Sequence, residues 1–196
     1  MTALLTLALA ALATASPLPT YSDFYKLLVQ VPSPSLDFTP PIHNRYLVGV
    51  HIGAGMDMVT PSPSTSQSST FHTNGTDADL WAARGTVVVG FGRYALAWRT
   101  VRSPDDANLN SAVLQYGPGT EGVRVIEERG DLMLGPGQYM VCDRRLPYGL
   151  SVEMTTGAVP KECVPVTLLP VCAEGKDGKE GEEGDQTVYR TRCKKL

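Results

Sequence analysis

Residues 44–55, NRYLVGVHIGAG, bear most directly on the fold, because aliphatic residues there run into a bend flanked by two glycines. Similar phrases return at 92–99 (GRYALAWR) and at 137–144 (GQYMVCDR). Each phrase joins a tyrosine to aliphatic residues over a short length, which is typical of a strand bounded by turn residues. The Gly-Ala-Gly at 53–55 predicts positive φ at the bend, since glycine enters that region at little steric cost.

The three phrases recur at intervals of about 45 residues, with their tyrosines at Tyr46, Tyr94 and Tyr139. A period of roughly 20–50 residues indicates stacked or pseudo-symmetric units. Three units of about four strands each would form a β-trefoil, a closed barrel in which the three tyrosines enter a shared core. The alternative is chance alternation of aromatic and aliphatic residues, which a two-sheet β-sandwich or a jelly roll accommodates as well. We therefore predict an all-β protein and favour the β-trefoil.

Short β-like runs follow one another along the chain, rich in Val, Leu, Tyr and Phe and bounded by Gly, Pro, Asn or Asp. Helical periodicity over eleven or more residues is confined to the N-terminus. The predicted strands are 24–31, 46–52, 69–73, 80–83, 86–91, 94–100, 112–116, 122–127, 138–143, 150–154 and 164–169, with an edge strand within 186–193.

The two ends of the chain differ from its middle. The N-terminus, MTALLTLALAALATA, is uncharged and ends in small residues, which predicts a secretory signal peptide cleaved after Ala15. Towards the C-terminus, AEGKDGKEGEEGD mixes glycine with charge and buries too little apolar surface to order. The Ser/Thr/Pro-rich stretch 60–70 predicts another flexible loop. The predicted organisation is a signal peptide (1–15), a loose leader (16–22), a single all-β domain (23–172) and a charged low-complexity tail (173–196).

Composition narrows the range of partners. The 196 residues are 42% hydrophobic, enough for one core, and the formal net charge of −3 argues against nucleic acid, which requires a basic surface. Beyond the signal peptide, the sequence offers no apolar run long enough to cross a membrane, and TRCKKL at its end is not a lipidation signal. We expect a secreted, extracellular monomer with neither nucleic acid nor membrane as partner.

The four cysteines, Cys142, Cys163, Cys172 and Cys193, are an even number in a chain predicted to be exported, which favours two disulfides. Three connectivities are open. We favour sequential pairing, because Cys142–Cys163 would tie two neighbouring strands and Cys172–Cys193 would fasten the tail. A Cys₄ zinc site is disfavoured since the sequence has no close Cys-x-x-Cys pair. We predict neither a metal nor another cofactor.

Few residues indicate chemistry. Asn74-Gly75-Thr76 is a glycosylation sequon in a turn-like context, so we predict a glycan on Asn74. His43, His51 and His72 lack metal-ligand spacing and are expected to be structural, with His51 bonded to a backbone carbonyl.

Catalysis has no clear signature. The Gly-x-Ser-x-Gly elbow of serine hydrolases is absent from the sequence. Asp57, Asp143 and Glu153 are candidates for a carboxylate pair, but no pattern brings them together. Asp143 is expected to form a surface ion pair with Arg144 or Arg145. The tripeptide Arg-Gly-Asp at 129–131 is expected to be a turn.

Several motifs occur in one order: YLVGVHIGAG (46–55), YALAW (94–98), YMVCD (139–143) and PKECVPVTLLPV (160–171). In this the chain resembles a family of small secreted fungal proteins with a domain of unknown function, over roughly residues 24–171. The resemblance implies an all-β extracellular protein and supports pairing of Cys142 with Cys163. Arg144 and Arg145 stand where the family often has aromatic residues, and Cys172, the acidic insert and Cys193 lie beyond its usual end.

The resulting hypothesis is a non-catalytic extracellular module that binds a glycan or an extracellular protein of a host or a cell wall. Exposed aromatic residues would indicate a sugar platform, whereas buried ones belong to the core. Two alternatives are a cell-wall polysaccharide hydrolase and a protease inhibitor with a rigid loop at Leu146-Pro147-Tyr148. The aromatic residues to be placed are Trp81, Trp98, Tyr94, Tyr116 and Tyr139.

Overall fold

The structure is a computed structural model. It describes residues 20–62, 67–104, 106–146, 149–174 and 188–196. The predicted signal peptide, Pro147 and Tyr148 of the predicted inhibitory loop, and most of the charged insert lie outside the described residues.

The described residues form short strands with little helix, which confirms the all-β prediction. The helical elements are α1 (Asp77–Trp81) and two 3-10 turns at Pro34–Leu36 and Gly92–Tyr94. The strands are β1 (Thr20–Ser22), β2 (Phe24–Gln30), β3 (Leu47–Gly53), β4 (Met56–Pro61), β5 (Phe71–Asn74), β6 (Thr86–Val89), β7 (Leu96–Arg102), β8 (Leu109–Gln115), β9 (Arg124–Glu128), β10 (Asp131–Gly135), β11 (Gln138–Leu146), β12 (Gly149–Thr155), β13 (Cys163–Ala173), β14 (Val188–Tyr189) and β15 (Thr191–Cys193).

Eleven of these strands belong to one antiparallel sheet in the order β12-β11-β13-β2-β5-β6-β7-β8-β4-β3, with β14 beside β5. Strand β12 also pairs with β8, so the series of pairings returns to itself. Two small sheets lie outside this series: the hairpin β9–β10, and β1 paired with β15.

The core is centred on aromatic side chains from distant strands. Trp98 is fully buried, with its ring edge-on to Phe71 at 6.2 Å and to Tyr139 at 6.0 Å. Tyr25 stacks on Phe71 at 6.2 Å between ring centroids. Aromatic pairs at such separations add to the free energy of burying each ring. The core therefore joins β2, β5, β7 and β11 across the sheet.

The three recurring tyrosines are not equivalent. Tyr139 is 2% exposed within β11, whereas Tyr94 is 60% exposed in the 3-10 turn and Tyr46 is half-buried just before β3. The prediction that all three enter one shared core is therefore wrong. The three-unit β-trefoil is not confirmed, and the sandwich or jelly roll stays a prediction.

The bend after β3 follows the prediction. Gly53, Ala54 and Gly55 all have positive φ, at 116°, 52° and 70°, and they reverse the chain into β4. A Cβ on Gly55 would lie 2.5 Å from Cδ2 of Tyr116. Glycine is required at 55 because an added side chain would collide with that ring.

Several secondary-structure predictions were wrong. Residues 80–83 belong to helix α1 and the turn after it, not to a strand. Strands β4 and β10 were missed, and β4 extends to Pro61 in a segment predicted to be a loop. Thr20–Ser22, predicted to be loose, pairs as β1 with β15. Strand β1 is ordered by a partner distant in sequence, which no local pattern reveals, whereas β4 and β10 each form a hairpin with the strand before it.

Both disulfides follow the sequential pairing that was predicted. Cys142–Cys163 joins β11 to β13 where the two residues are direct cross-strand partners. Cys172–Cys193 joins β13 to β15. The predicted edge strand within 186–193 is present as β14 and β15, so the end of the tail packs against the domain.

No helix among the residues that the structure describes is long and apolar enough to cross a membrane.

Candidate functional site

The histidines have three different environments. His43 accepts a hydrogen bond at Nδ1 from the backbone N–H of Val31 (3.0 Å). The ring of His51 contacts the Asp57 carboxylate at 3.1 Å, so the predicted bond to a backbone carbonyl is wrong. His72 is 1% exposed, and burial lowers its pKa to about 4. In the described part of the chain, no group of three or more His, Cys, Asp or Glu could hold a metal ion.

The three candidate carboxylates, Asp57, Asp143 and Glu153, lie in different environments. Glu153 is buried on β12, where Arg144 donates two hydrogen bonds to it at 2.8 and 2.5 Å. Arg144 also binds Glu162 at 2.7 Å, beside the Cys142–Cys163 disulfide. Asp57 binds His51, and Asp143 is exposed on β11. Glu153 therefore belongs to an ion cluster with Arg144 and Glu162.

A cavity of about 360 Å³ lies where the tail returns to the domain. Its wall combines α1, β9, β14, β15 and single residues of β1, β5 and β10. The lining includes three aromatic and three arginine side chains: Tyr21, Trp81, Tyr189, Arg124, Arg190 and Arg192. We call this the tail cavity.

Trp81 projects from the end of α1 and is 91% exposed. Helix α1 begins at a capping box: the Thr76 hydroxyl accepts a hydrogen bond from the Asp79 N–H, and the Asp79 carboxylate accepts one from the Thr76 N–H. The hydrogen bond from the Thr76 hydroxyl lowers the pKa of Asp79, with a further contribution from Arg84. Because the cap fixes the start of a helix only five residues long, it also fixes the position of Trp81.

The arginines of the tail cavity differ in how their charge is satisfied. Arg192 pairs with Glu127 across the cavity wall. Arg124 donates a 2.6 Å hydrogen bond to the carbonyl oxygen of Leu80. Arg190 is largely exposed and has only long contacts with Asp23 (3.7 Å) and the Tyr21 carbonyl (3.5 Å). Among the described residues, Arg124 thus has no carboxylate partner, and Arg190 has one long, exposed ion pair with Asp23.

Buried hydroxyl groups fasten the returning tail behind the cavity. Thr191 donates a 2.8 Å hydrogen bond to Oγ1 of Thr73, which lies 3.4 Å from the hydroxyl of Tyr25. Burial raises the pKa of that tyrosine. With Cys172–Cys193, this chain of hydroxyls holds Tyr189 and the tail arginines at the wall.

A second cavity, of about 510 Å³, lies beside the sequon. Asn74 lies at its rim, half-buried at the end of β5, and the sequon's Thr76 is the N-cap of α1. Among the described residues that line this cavity, none is aromatic. The predicted glycan on Asn74 would stand at this rim, which leaves the tail cavity as the better candidate for a ligand.

Comparison with known proteins places the chain in a family. A domain described as "Domain of unknown function (DUF7907)" matches residues 22–172. The chain belongs to this family. It is 30% identical over 176 residues to "Antigenic protein SchS34" of Stachybotrys chartarum, covering 81% of this chain and 79% of that protein. No solved structure matches the chain.

The family match confirms the resemblance drawn from the ordered motifs. The match ends at Cys172. Strands β14 and β15 therefore lie beyond the DUF7907 domain, together with Tyr189, Arg190 and Arg192 of the tail cavity.

Of the cavity residues, only Trp81 was considered as a possible ligand contact from the sequence, and Arg124 to Glu127 were predicted only as part of a strand. The arginines were missed because they lie on segments that meet only in the folded chain. A signal for Trp81 was present in Thr76-Asp77-Ala78-Asp79, which has the spacing of a capping box with Asp in place of Glu.

Proposed function

We propose that this DUF7907 protein is a secreted, non-catalytic monomer that binds a glycan in the tail cavity. One observation carries the proposal: an indole that is 91% exposed at the edge of a cavity with polar and charged walls. Aromatic side chains grouped around one exposed cavity are typical of a binding surface, and Trp81 lies there with Tyr21 and Tyr189. The apolar C–H face of a pyranose ring would stack on the indole, and the surrounding guanidinium and hydroxyl groups would hydrogen-bond its rim.

Extracellular location supports the same proposal. Two disulfides in a small chain are typical of oxidising compartments, and the relative from Stachybotrys chartarum is named an antigenic protein. The predicted signal peptide (1–15) and the sequon at Asn74 agree with export. Outside the cell, the polysaccharides of walls and surfaces would be accessible to the cavity.

The test is a glycan array probed with the secreted, disulfide-intact protein, followed by calorimetric titration of each bound oligosaccharide. Stacking one indole face buries about 80–100 Å² of apolar surface, or about 2 kcal/mol. Trp81→Ala should therefore weaken binding roughly thirtyfold. Tyr94→Ala, which removes another exposed aromatic side chain outside the tail cavity, is the matched control and should change little. Silence across the array, or equal binding by Trp81→Ala and the wild type, would refute the proposal.

A hydrolase is the second candidate, because the tail cavity also contains Asp77 and Glu127. Glycosidases require two carboxyl groups on either side of the scissile bond. Glu127 is paired with Arg192, which favours a structural role for it. Prolonged incubation with each bound oligosaccharide should leave its length unchanged by mass spectrometry; shorter products lost in Glu127→Gln would make the protein an enzyme.

A further inference from the structure

We infer that the glycan recognised by the tail cavity is acidic, with a carboxylate or sulfate group held between Arg124 and Arg190. This inference rests on the proposed function and names its ligand class. The two residues come from strand β9 and from the turn between β14 and β15, and both line the cavity that Trp81 borders.

The charge of the cavity differs in sign from that of the chain. Three arginines and two carboxylates line the cavity, whereas the whole chain has a formal net charge of −3. Glu127 neutralises Arg192, and Asp77 also lines the cavity, so a net excess of one positive charge remains, shared by Arg124 and Arg190. Like charges gathered at one concave surface attract a ligand of opposite charge.

Arg124 is the better oriented of the two. Its side chain is half-buried, and the hydrogen bond to the Leu80 carbonyl directs the guanidinium beside the end of α1, next to Trp81. A guanidinium has five N–H donors, so further donors remain for a ligand. A partly buried cation without a carboxylate partner is unfavourable unless an anion reaches it.

The geometry also separates acidic from neutral sugars. An arginine binds a carboxylate or sulfate through two parallel hydrogen bonds, which a hydroxyl group cannot match in strength. Stacking on Trp81 would orient the sugar ring, and the two arginines would bind its charged substituent. Trp81 thus contributes affinity for any pyranose, while Arg124 and Arg190 determine the preference for acidic ones.

The experiment titrates the disulfide-intact protein with tetragalacturonic acid, its methyl ester and a sulfated glucan oligomer. The ester keeps the rings and removes the charge. We expect the acid to bind at least tenfold more tightly than the ester, and the sulfated oligomer shows whether sulfate replaces carboxylate. Arg124→Gln should weaken binding of the acid roughly tenfold and leave the ester unaffected. Arg190→Gln changes a mostly exposed side chain, keeps the fold, and should weaken the acid several-fold.

Arg102→Gln is the matched control, since Arg102 is an exposed arginine on β7 that does not line the tail cavity. It should bind all three oligomers as the wild type does. Equal binding of acid and ester, with both dependent on Trp81, would overturn the inference and leave the proposed function standing. Selective binding of neutral glycans on the array would also overturn the inference and leave the proposed function standing. If no saccharide binds, or if Trp81→Ala has no effect, both the proposed function and this inference fail.

Discussion

Acid should destabilise this protein through His72. The side chain is 1% exposed, its ring stacks on Phe91 at 4.8 Å, and Phe24 lies edge-on at 6.1 Å. Nε2 is buried without a hydrogen-bond partner among the described residues. Burial in this aromatic cluster lowers the pKa of His72 from 6.5 to about 4, so the folded protein binds the proton less readily than the unfolded chain.

The direction and size of the effect follow from linkage. Because the pKa of His72 is lower in the folded state, the stability that depends on its neutral ring is fully present above pH 6.5. That stability is lost as the pH falls towards 4. Between pH 7.5 and 4.5, His72 should lower the free energy of unfolding by roughly 2–3 kcal/mol. Carboxyl groups also titrate near the lower pH, so the quantity to compare is the difference between the wild type and a variant without this imidazole.

The assay is urea denaturation with disulfides intact, followed by tryptophan fluorescence at pH 7.5 and 4.5. His72→Phe should lie within about 1 kcal/mol of the wild type at pH 7.5, because it replaces a buried polar atom that has no partner among the described residues. On acidification it should lose roughly 2–3 kcal/mol less than the wild type. His72→Leu serves as a second variant should phenylalanine be too large. Parallel pH profiles for His72→Phe, His72→Leu and the wild type would refute the reasoning.

Three further predictions concern stability. Glu153→Gln should lower the free energy of unfolding, measured in urea, by roughly 3 kcal/mol, because it leaves Arg144 without its buried partner. The exposed control Glu162→Gln should lower it by at most about 1 kcal/mol. Equal losses would contradict the view that Glu153 is the more important partner of Arg144. Replacing Cys172 and Cys193 together by Ser should lower the free energy of unfolding by roughly 3 kcal/mol, because a loop spanning 21 positions opens. It should also weaken glycan binding, because the tail that forms one wall of the cavity is released. Unchanged binding would show that the tail is not part of the site. Thr76→Ala removes the cap of α1 and should lower the free energy of unfolding by about 1 kcal/mol. If the cap positions Trp81, amide hydrogen exchange should become faster in the helix and remain unchanged elsewhere.

The sequence predicted those features that local chemistry determines. Val, Leu and Tyr runs indicated most strands, and the Gly-Ala-Gly after β3 indicated its bend. Sequential pairing of the cysteines, favoured among three open connectivities, is the pairing observed. The RGD tripeptide was predicted to be a turn and forms one between β9 and β10, with Arg129 and Gly130 both at positive φ.

The remaining features depend on contacts between distant segments. Tyr94 and Tyr139 begin similar phrases, yet one is exposed and the other buried, because burial depends on what packs opposite each strand. Strand β1 forms because the tail, fastened by Cys193, supplies β15 as its partner. For the same reason, the tail cavity could not be predicted: its residues lie at both ends and in the middle of the chain, and only folding brings them together.

The chain contains two tryptophans, which permits a direct test of the central claim. Trp81 is 91% exposed at the tail cavity and Trp98 is fully buried, so their indole N–H resonances report separately on surface and core. In a ¹⁵N-labelled sample titrated with the best-binding oligosaccharide, we predict a progressive, saturable shift of the Trp81 indole signal while that of Trp98 stays fixed. Saturable binding that leaves the Trp81 signal unmoved would contradict the account and place the ligand elsewhere on the protein.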